Sequence, residues 1–362
     1  MITMVGLAPP GVRGITGFSA ARAAGTLVGM TVIAQERRGS DFAQLSREIA
    51  AAGLMRRRPG RYALTIGLTG LLFAGSWAAF VLVGNSWWTL AIAALLAVAT
   101  TQVAFLGHDA GHKQMFRGRR ASEIAGLTAG NLATGLSFGW WIDKHNRHHA
   151  NPNHEDHDPD VGEGVLVWTE KQAAKRTGFG RWMARNQAKL FFPLLTLEGL
   201  NLHVSSIKAL FDVPMRHKRA EALLLVLHTV GYLSLVFAVL PFGKAIAFMA
   251  VHQALWGVYM GLSFAPNHKG MPVLTAEDEL DFLRKQVLTS RDVLGGRWVD
   301  VALGGLNYQV EHHLFPSMPR ANLRRAAPIV RAYCAERGIP YHWAGLIDSY
   351  RQALRYMDSV AR

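Results

Sequence analysis

Three histidine clusters carry the chemistry legible in this chain: HDAGH from His108 to His112, HNRHH from His145 to His149, and QVEHH from Gln309 to His313. They supply His108, His112, His145, His148, His149, His312 and His313, and an eighth imidazole, His268, stands near the end of an apolar stretch. A tetrahedral zinc takes about four protein ligands, so this set is too large for one metal and about right for two. Within the clusters the spacings are i, i+3 and i+4, which put side chains on one helix face. A helical start to each cluster would focus its imidazoles into a bundle.

Imidazole suits iron, copper, nickel and zinc, so ligand type alone does not name the metal. A zinc peptidase needs the general-base Glu of HExxH, whereas HDAGH carries Asp109. The Glu-x-x-His pairs of soluble di-iron bundles do not occur near the clusters. Hydrolysis is thereby disfavoured and redox chemistry preferred. Asp109 and Glu311, inside the boxes, either orient ligand imidazoles through the second ring nitrogen or are ordinary helix-surface charges. A metal carrier would string ionisable groups across the membrane, and these histidines gather at one face.

The elements that must position them are membrane helices. Half of the 362 residues are hydrophobic and 18% are charged. Tyr62 to Val83 and Trp87 to Leu106 are uncharged windows of about twenty residues, the length a bilayer core requires, and Ala222 to Leu240 and Ala245 to Ala265 form a second pair. Short connections, Gly84 to Ser86 and Pro241 to Lys244, make each pair a hairpin. The net charge of +14 is spread beside the spans, at Arg56 to Arg58, Arg61, Lys113, Arg117 to Arg120, and Arg216 to Arg219. That placement argues for membrane topology and against nucleic acid, and puts both termini and all clusters in the cytoplasm. The expected fold is an all-α integral membrane protein of four spans, at about 62–83, 87–106, 222–240 and 245–265, with interfacial helices and a cytoplasmic helical cap. Its domain runs over 41–346, between a mobile tail at 1–40 and a C-terminal helix at 347–362. Ser40 should cap a helix bearing Phe42, Leu45, Ile49 and Ala52, lying on the membrane surface and ending at Gly53. The Gly-broken stretch Ile124 to Trp141, and Leu190 to Leu202 with Pro193 inside it, read as interfacial or partly inserted segments. The lone Cys334 fits a reducing compartment.

The boxes, with HHANPNHEDHDPD from His148 to Asp160, FAPNHKGMP from Phe264 to Pro272 and NYQVEHHLFPSMPR from Asn307 to Arg320, resemble the membrane fatty acid desaturase family over roughly Phe42 to Leu346. The resemblance implies a non-haem centre of two iron ions that uses molecular oxygen to desaturate an acyl chain, either acyl-CoA or acyl-lipid, among membrane lipids. It implies His108, His112, His145, His148, His149, His268, His312 and His313 as ligands. Gln309, where many family members have histidine, is similar to front-end and related bacterial enzymes and would be a weak ligand or an outer donor, with Asn267 and the two box acids as further outer groups. No HPGG haem motif occurs, so a separate electron donor such as a ferredoxin is implied. A hydroxylase on the same scaffold is the nearest alternative. Breaking an unactivated C–H bond needs an oxidising cofactor shielded from water, and the acyl tunnel is expected along Trp140, Trp141 and Tyr259. The Ala, Gly and Arg bias suggests a bacterial cytoplasmic membrane. His154, His157, His203, His217 and His342 read as loop, interfacial or surface residues, and His228 and His252 as intramembrane groups, functional or packing.

Overall fold

The computed structural model describes residues 40–362, so the expectation of a mobile tail falls, apart from Ser40, outside the described residues. The Ser40 hydroxyl accepts from Ala43 N at 3.3 Å and opens α1 (Asp41–Ala51), which the chain leaves at Gly53 with φ +69°. Both ends follow the expected chemistry, a hydroxyl at the N-cap and a left-handed glycine just past the last turn. Its apolar stripe is not free to face lipid. Its apolar face, Leu45 and Ile49, is fully buried against Leu323 and Val330 of the C-terminal region.

Two helical hairpins cross the membrane. α2 (Pro59–Val83) and α3 (Thr89–Gly111) make the first. α4 (Arg119–Leu127) then runs into a π-helical turn at 128–134, the chain reverses at Gly135 with φ +68°, and α5 (Phe138–Ala150) begins behind the Ser137 cap. Three short helices, α6 (Glu170–Ala174), α7 (Gly178–Arg185) and α8 (Gln187–Leu195), lead to α9 (Glu198–Asp212), bent 72° from α8. α10 (Lys218–Val239) and α11 (Phe242–His268) complete the second hairpin. Four helices among the described residues are thus long and apolar enough to span, and the protein is an all-α integral membrane protein. α3 and α11 are the inner pair, while α2 and α10 leave most of their surface to lipid.

The inner helices outrun their apolar windows. α3 continues past Leu106 to Gly111 and α11 past Ala265 to His268, because His108, Asp109, Asn267 and His268 are buried under the cap instead of facing lipid. At the opposite end Lys244 Nζ donates to Asn85 O at 3.1 Å and Asn85 Oδ1 at 2.8 Å, tying the two hairpin turns together beside Trp87.

The cap comprises α12 (Phe282–Leu288), β1 (Arg291–Leu294), α13 (Arg297–Ala302), α14 (Gln309–Leu314), α15 (Arg320–Glu336), β2 (His342–Gly345) and α16 (Leu346–Val360). β1 and β2 pair in parallel from Arg291↔His342 to Leu294↔Gly345, which no sequence pattern announced. The last helix belongs to the body. Tyr356, Met357 and Val360 of α16 pack with Trp168, Phe191, Leu195 and Ala265.

Candidate metal centre

Each histidine cluster is delivered by a helix end. His108 sits in the last turn of α3 and His112 on its C-cap, α5 carries His145, His148 and His149, α11 ends on His268, and α14 carries His312 and His313. The nitrogens of His108, His112, His145 and His312 all lie within 4.8 Å of one another, as do those of His148, His268 and His313. His149 stands between the two groups, its ring centroid 4.8 Å from His112 and His312 and stacked at 4.3 Å on His313. All eight histidines expected at a centre are therefore brought together.

Their outer nitrogens are held from behind. His148 Nδ1 lies 2.9 Å from Asp158 Oδ2, His268 Nδ1 2.9 Å from Thr289 O, and His313 Nδ1 2.9 Å from Gln286 Oε1. A ring that donates Nδ1–H keeps its Nε2 lone pair for the interior. Gln309 and Asn267 form a chain: the Asn267 amide donates to Gln309 Oε1 at 3.1 Å, and Gln309 Nε2 lies 2.8 Å from His268 Nε2. In this orientation Gln309 presents a donor rather than a lone pair.

Neither box acid is a helix-surface charge. Asp109 is buried with Oδ2 3.0 Å from Arg320 Nε and Oδ1 3.6 Å from His108 Nδ1, an ion-pair rather than a hydrogen-bond distance. Glu311 is fully buried and accepts from Tyr341 at 2.8 Å, and Tyr341 also donates to Asp292. Burial first, and the neighbouring Asp292 second, hold the Glu311 carboxyl well above the usual range. A cap of polar protein has replaced the solvent that a helix-surface charge would have.

The donor set fits a metal. His108 Nε2, His149 Nδ1, both nitrogens of His312 and His313 Nε2 are buried without a hydrogen-bond partner among the described residues. His145 Nε2 lies 2.8 Å from His112 Nε2 and 3.0 Å from His149 Nε2, and a proton on one of the three serves at best one of these contacts, whereas a cation serves all. Burial, and then adjacent imidazoles, push His145, His149, His312 and His313 well below the ordinary histidine range, so the lone pairs are free at neutral pH. At His148 burial pulls downward too, but the Asp158 carboxylate outweighs it and the pKa rises.

Two cavities flank the cluster. A narrow apolar one is bounded by Phe105, His108, Leu136, Phe138, Trp141 and Met260. Trp141 also stacks on His145 at 4.4 Å, and a Cβ on Gly111 would come within 2.4 Å of its ring, so the small residue of HDAGH makes room for it. Of the three expected tunnel residues only Trp141 lines this cavity. Trp140 packs beside Leu136, Trp256 and Met260, and Tyr259 donates to Ala302 O at 2.7 Å. The second cavity, about 500 Å³, is lined by Arg61, Arg297, Arg320, Arg324 and Arg325, with Tyr62 beside them. Arg320 thus reaches from this basic wall to Asp109, next to His108.

Residues 85–345 match the family model described as fatty acid desaturase. The chain belongs to the fatty acid desaturase family. Among desaturase relatives, a Delta(8)-fatty-acid desaturase of Helianthus annuus is 29% identical over 335 residues, 89% of this chain and 73% of the relative. An acyl-lipid (9-3)-desaturase of Physcomitrium patens is 32% identical over 284 residues, 75% of this chain and 53% of the relative. Fatty acid desaturase 3 of Bos taurus is 30% identical over 322 residues, 83% of this chain and 68% of the relative. The chain thus spans about half of the Physcomitrium relative and two thirds to three quarters of the other two.

Several supports of this desaturase-family site escape sequence reasoning. Gln286 and Thr289 lie in a segment with no motif, and only the fold reveals that α12 and its exit hold two imidazoles. Arg291 is buried and donates to Pro266 O, Lys269 O and Gln352 Oε1, closing the C-terminal carbonyls of the helix that carries His268. Glu221 bonds Asn131, Ser137 and Gly139 N, anchoring the start of α5. Its signal was a lone acid at the edge of an apolar window. His154 is buried and rings with His157 at 4.4 Å, so it is not a solvated loop residue, and His203 is enclosed among the helices. His217 and His342 are at the surface side, the former near Glu123.

Proposed function

We propose that this protein is an oxygen-dependent acyl-chain desaturase with a di-iron centre. His108, His112, His145, His149 and His312 would hold one iron, and His148, His268 and His313 the other, with His149 placed to reach either. The observation that carries this reading is the convergence of eight imidazoles from four separated segments, four of them, His108, His149, His312 and His313, with unpartnered nitrogens among the described residues, and His108 in the wall of an apolar cavity. Iron bound there, with oxygen and two external electrons, supplies the oxidant needed to take hydrogen from an unactivated carbon.

The protein's own residues do the rest. Phe105, Leu136, Phe138, Trp141 and Met260 take the acyl chain and keep water from the reacting carbon. Arg61, Arg320, Arg324 and Arg325 take an anionic head, the phosphate of coenzyme A or of a phospholipid. Asp158 and Gln286 hold the Nδ1–H tautomers of His148 and His313, which would leave Nε2 for a metal, and Thr289 holds that of His268, whose Nε2 meets Gln309 Nε2 at 2.8 Å. The cap lies in the cytoplasm, as the flanking arginines and lysines require, where a separate carrier such as a ferredoxin delivers electrons. The relatives named are eukaryotic and lend a bacterial membrane no support.

Fatty acid analysis by gas chromatography and mass spectrometry, after expression in a host lacking the activity, tests this beside a His148→Ala, His149→Ala control. A new unsaturated species absent from the control, with about two irons per purified chain, is the expected result. A hydroxylated product would replace desaturation by oxygen insertion, and a purified protein holding zinc alone would overturn the redox assignment.

A further inference from the structure

A second polar cluster lies inside the membrane region, away from the proposed metal ligands. His203 of α9 donates Nδ1–H to Gly135 O at 3.0 Å and also meets the Gln253 side chain, while His228 of α10 donates Nδ1–H to Leu132 O at 2.9 Å and keeps Nε2 as an open lone pair. The rings lie 5.8 Å apart against Gly135, where a Cβ would come within 2.6 Å of His228 Nε2. His252 is occupied on both sides, by Tyr232 at 3.0 Å and Thr100 at 3.4 Å. Trp256 is 0% exposed, and its indole N–H has no partner; nor does the buried Gln253 Oε1. Together these groups enclose a small cavity with about 10 Å³ of room for water centres, enough for about one molecule.

That cavity adjoins the acyl cavity. Thr134 is in the wall of both, and Trp256 packs with Leu136 and Met260, which line the acyl side. Thr100 precedes His108 on α3 by eight residues, roughly 12 Å at 1.5 Å per residue, so the cluster lies on the side of the acyl cavity away from the cap. At that depth an unpaired indole N–H and the open lone pair of His228 are costly unless something bonds them. A hydroxyl can both accept from the indole and donate to an imidazole, and a methyl can do neither.

Resting on the desaturase reading above, we propose that this cluster is a receptor for a hydroxyl group at the far end of the acyl cavity. Water occupies it when the chain is plain hydrocarbon, so a saturated chain stops short of Thr134. A chain long enough to enter is accepted when its terminal carbon bears a hydroxyl. The site therefore sets the longest plain chain the enzyme takes.

The test uses the full-length protein with a working reductant, a ladder of saturated acyl chains and the matching ω-hydroxy chains. Products are analysed by mass spectrometry, and thermal shift with each free acid gives a readout independent of turnover. Wild type should desaturate plain chains up to a cut-off and, beyond it, prefer the ω-hydroxy chain by roughly tenfold or more. His228→Leu should move the cut-off to longer plain chains. Trp256→Phe, which keeps the ring and removes only the N–H, should weaken the ω-hydroxy preference even if His228→Leu folds poorly. A wild-type enzyme with no preference for ω-hydroxy chains, or an unchanged cut-off and preference in variants with wild-type turnover of short chains, would overturn the receptor. If no chain yields an unsaturated product, the desaturase reading fails instead, while the thermal shifts still report on the hydroxyl.

Discussion

Asp158 shows how much a single side chain does at this site. Its Oδ2 meets His148 Nδ1 at 2.9 Å and Asn153 N at 2.8 Å, and its Oδ1 accepts from Asp160 N at 2.8 Å. One carboxylate thus fixes a loop and an imidazole at once. Asp158→Asn keeps most of this geometry but removes the charge, and should weaken metal affinity by about 10- to 100-fold, as loss of an outer partner typically does. Gln286→Leu should act similarly through His313. Competition with a chromophoric chelator reads both, and wild-type affinity in the two variants would mean that these partners only pack. At this scale the seven boxed histidines were legible because spacing on a helix is a local property, and His268, which stands alone, only through the family resemblance. Their partners were not, because Thr289 stands 21 residues after His268 in sequence and meets it only through folding.

At the scale of elements, close approach decides where helices sit. Gly111 lets Trp141 of α5 lie against the end of α3, and Gly126 of α4 leaves room for the Phe138 ring, which a Cβ would meet at 2.1 Å. Gly111→Ala should push Trp141 off His145 and narrow the apolar cavity, cutting turnover while leaving metal content near wild type. Adding Trp141→Phe should restore part of it, and a double mutant no better than the single one would refute this steric account. The spans were legible from length and apolarity, because lipid demands both. What failed was the fate of amphipathic faces. The stripe of α1 looked bound for the membrane surface, and α15 covers it instead, since periodicity says that a face is buried and not by what. The π-helical turn at 128–134 and the parallel β1–β2 pair likewise follow from neighbours, with Glu221 holding the one and chain closure the other.

For the whole molecule, two measurements bear on stability and orientation. Eight converging imidazoles, four of them with unpartnered nitrogens among the described residues, make the folded state the better metal binder. Metal at one hundred times its dissociation constant should therefore add about 2.7 kcal/mol. Stripping metal with a chelator should lower the melting temperature in detergent and re-addition restore it; a melting curve indifferent to metal would argue against the centre. Orientation is testable because the hairpin turns and the cap lie at opposite ends. With buried Cys334 replaced by Ser, Asn85→Cys and Arg351→Cys should react with an impermeant maleimide from opposite sides of sealed membranes, the latter from the cytoplasmic side. Labelling of both from one side would break the two-hairpin topology.

The position of α14 also governs the order in which the protein comes into being. Each of the two histidine groups takes one member from this short helix, His312 for the first and His313 for the second. During synthesis, His112 leaves the ribosome 200 residues ahead of His312, roughly 10–40 s at ordinary elongation rates. By the end of that interval both hairpins can be inserted, and throughout it neither group is complete. One late helix then finishes both together, so on the proposed reading metal would be loaded at the close of biogenesis, and a truncated chain ending before Gln309 would be a membrane protein with no finished centre.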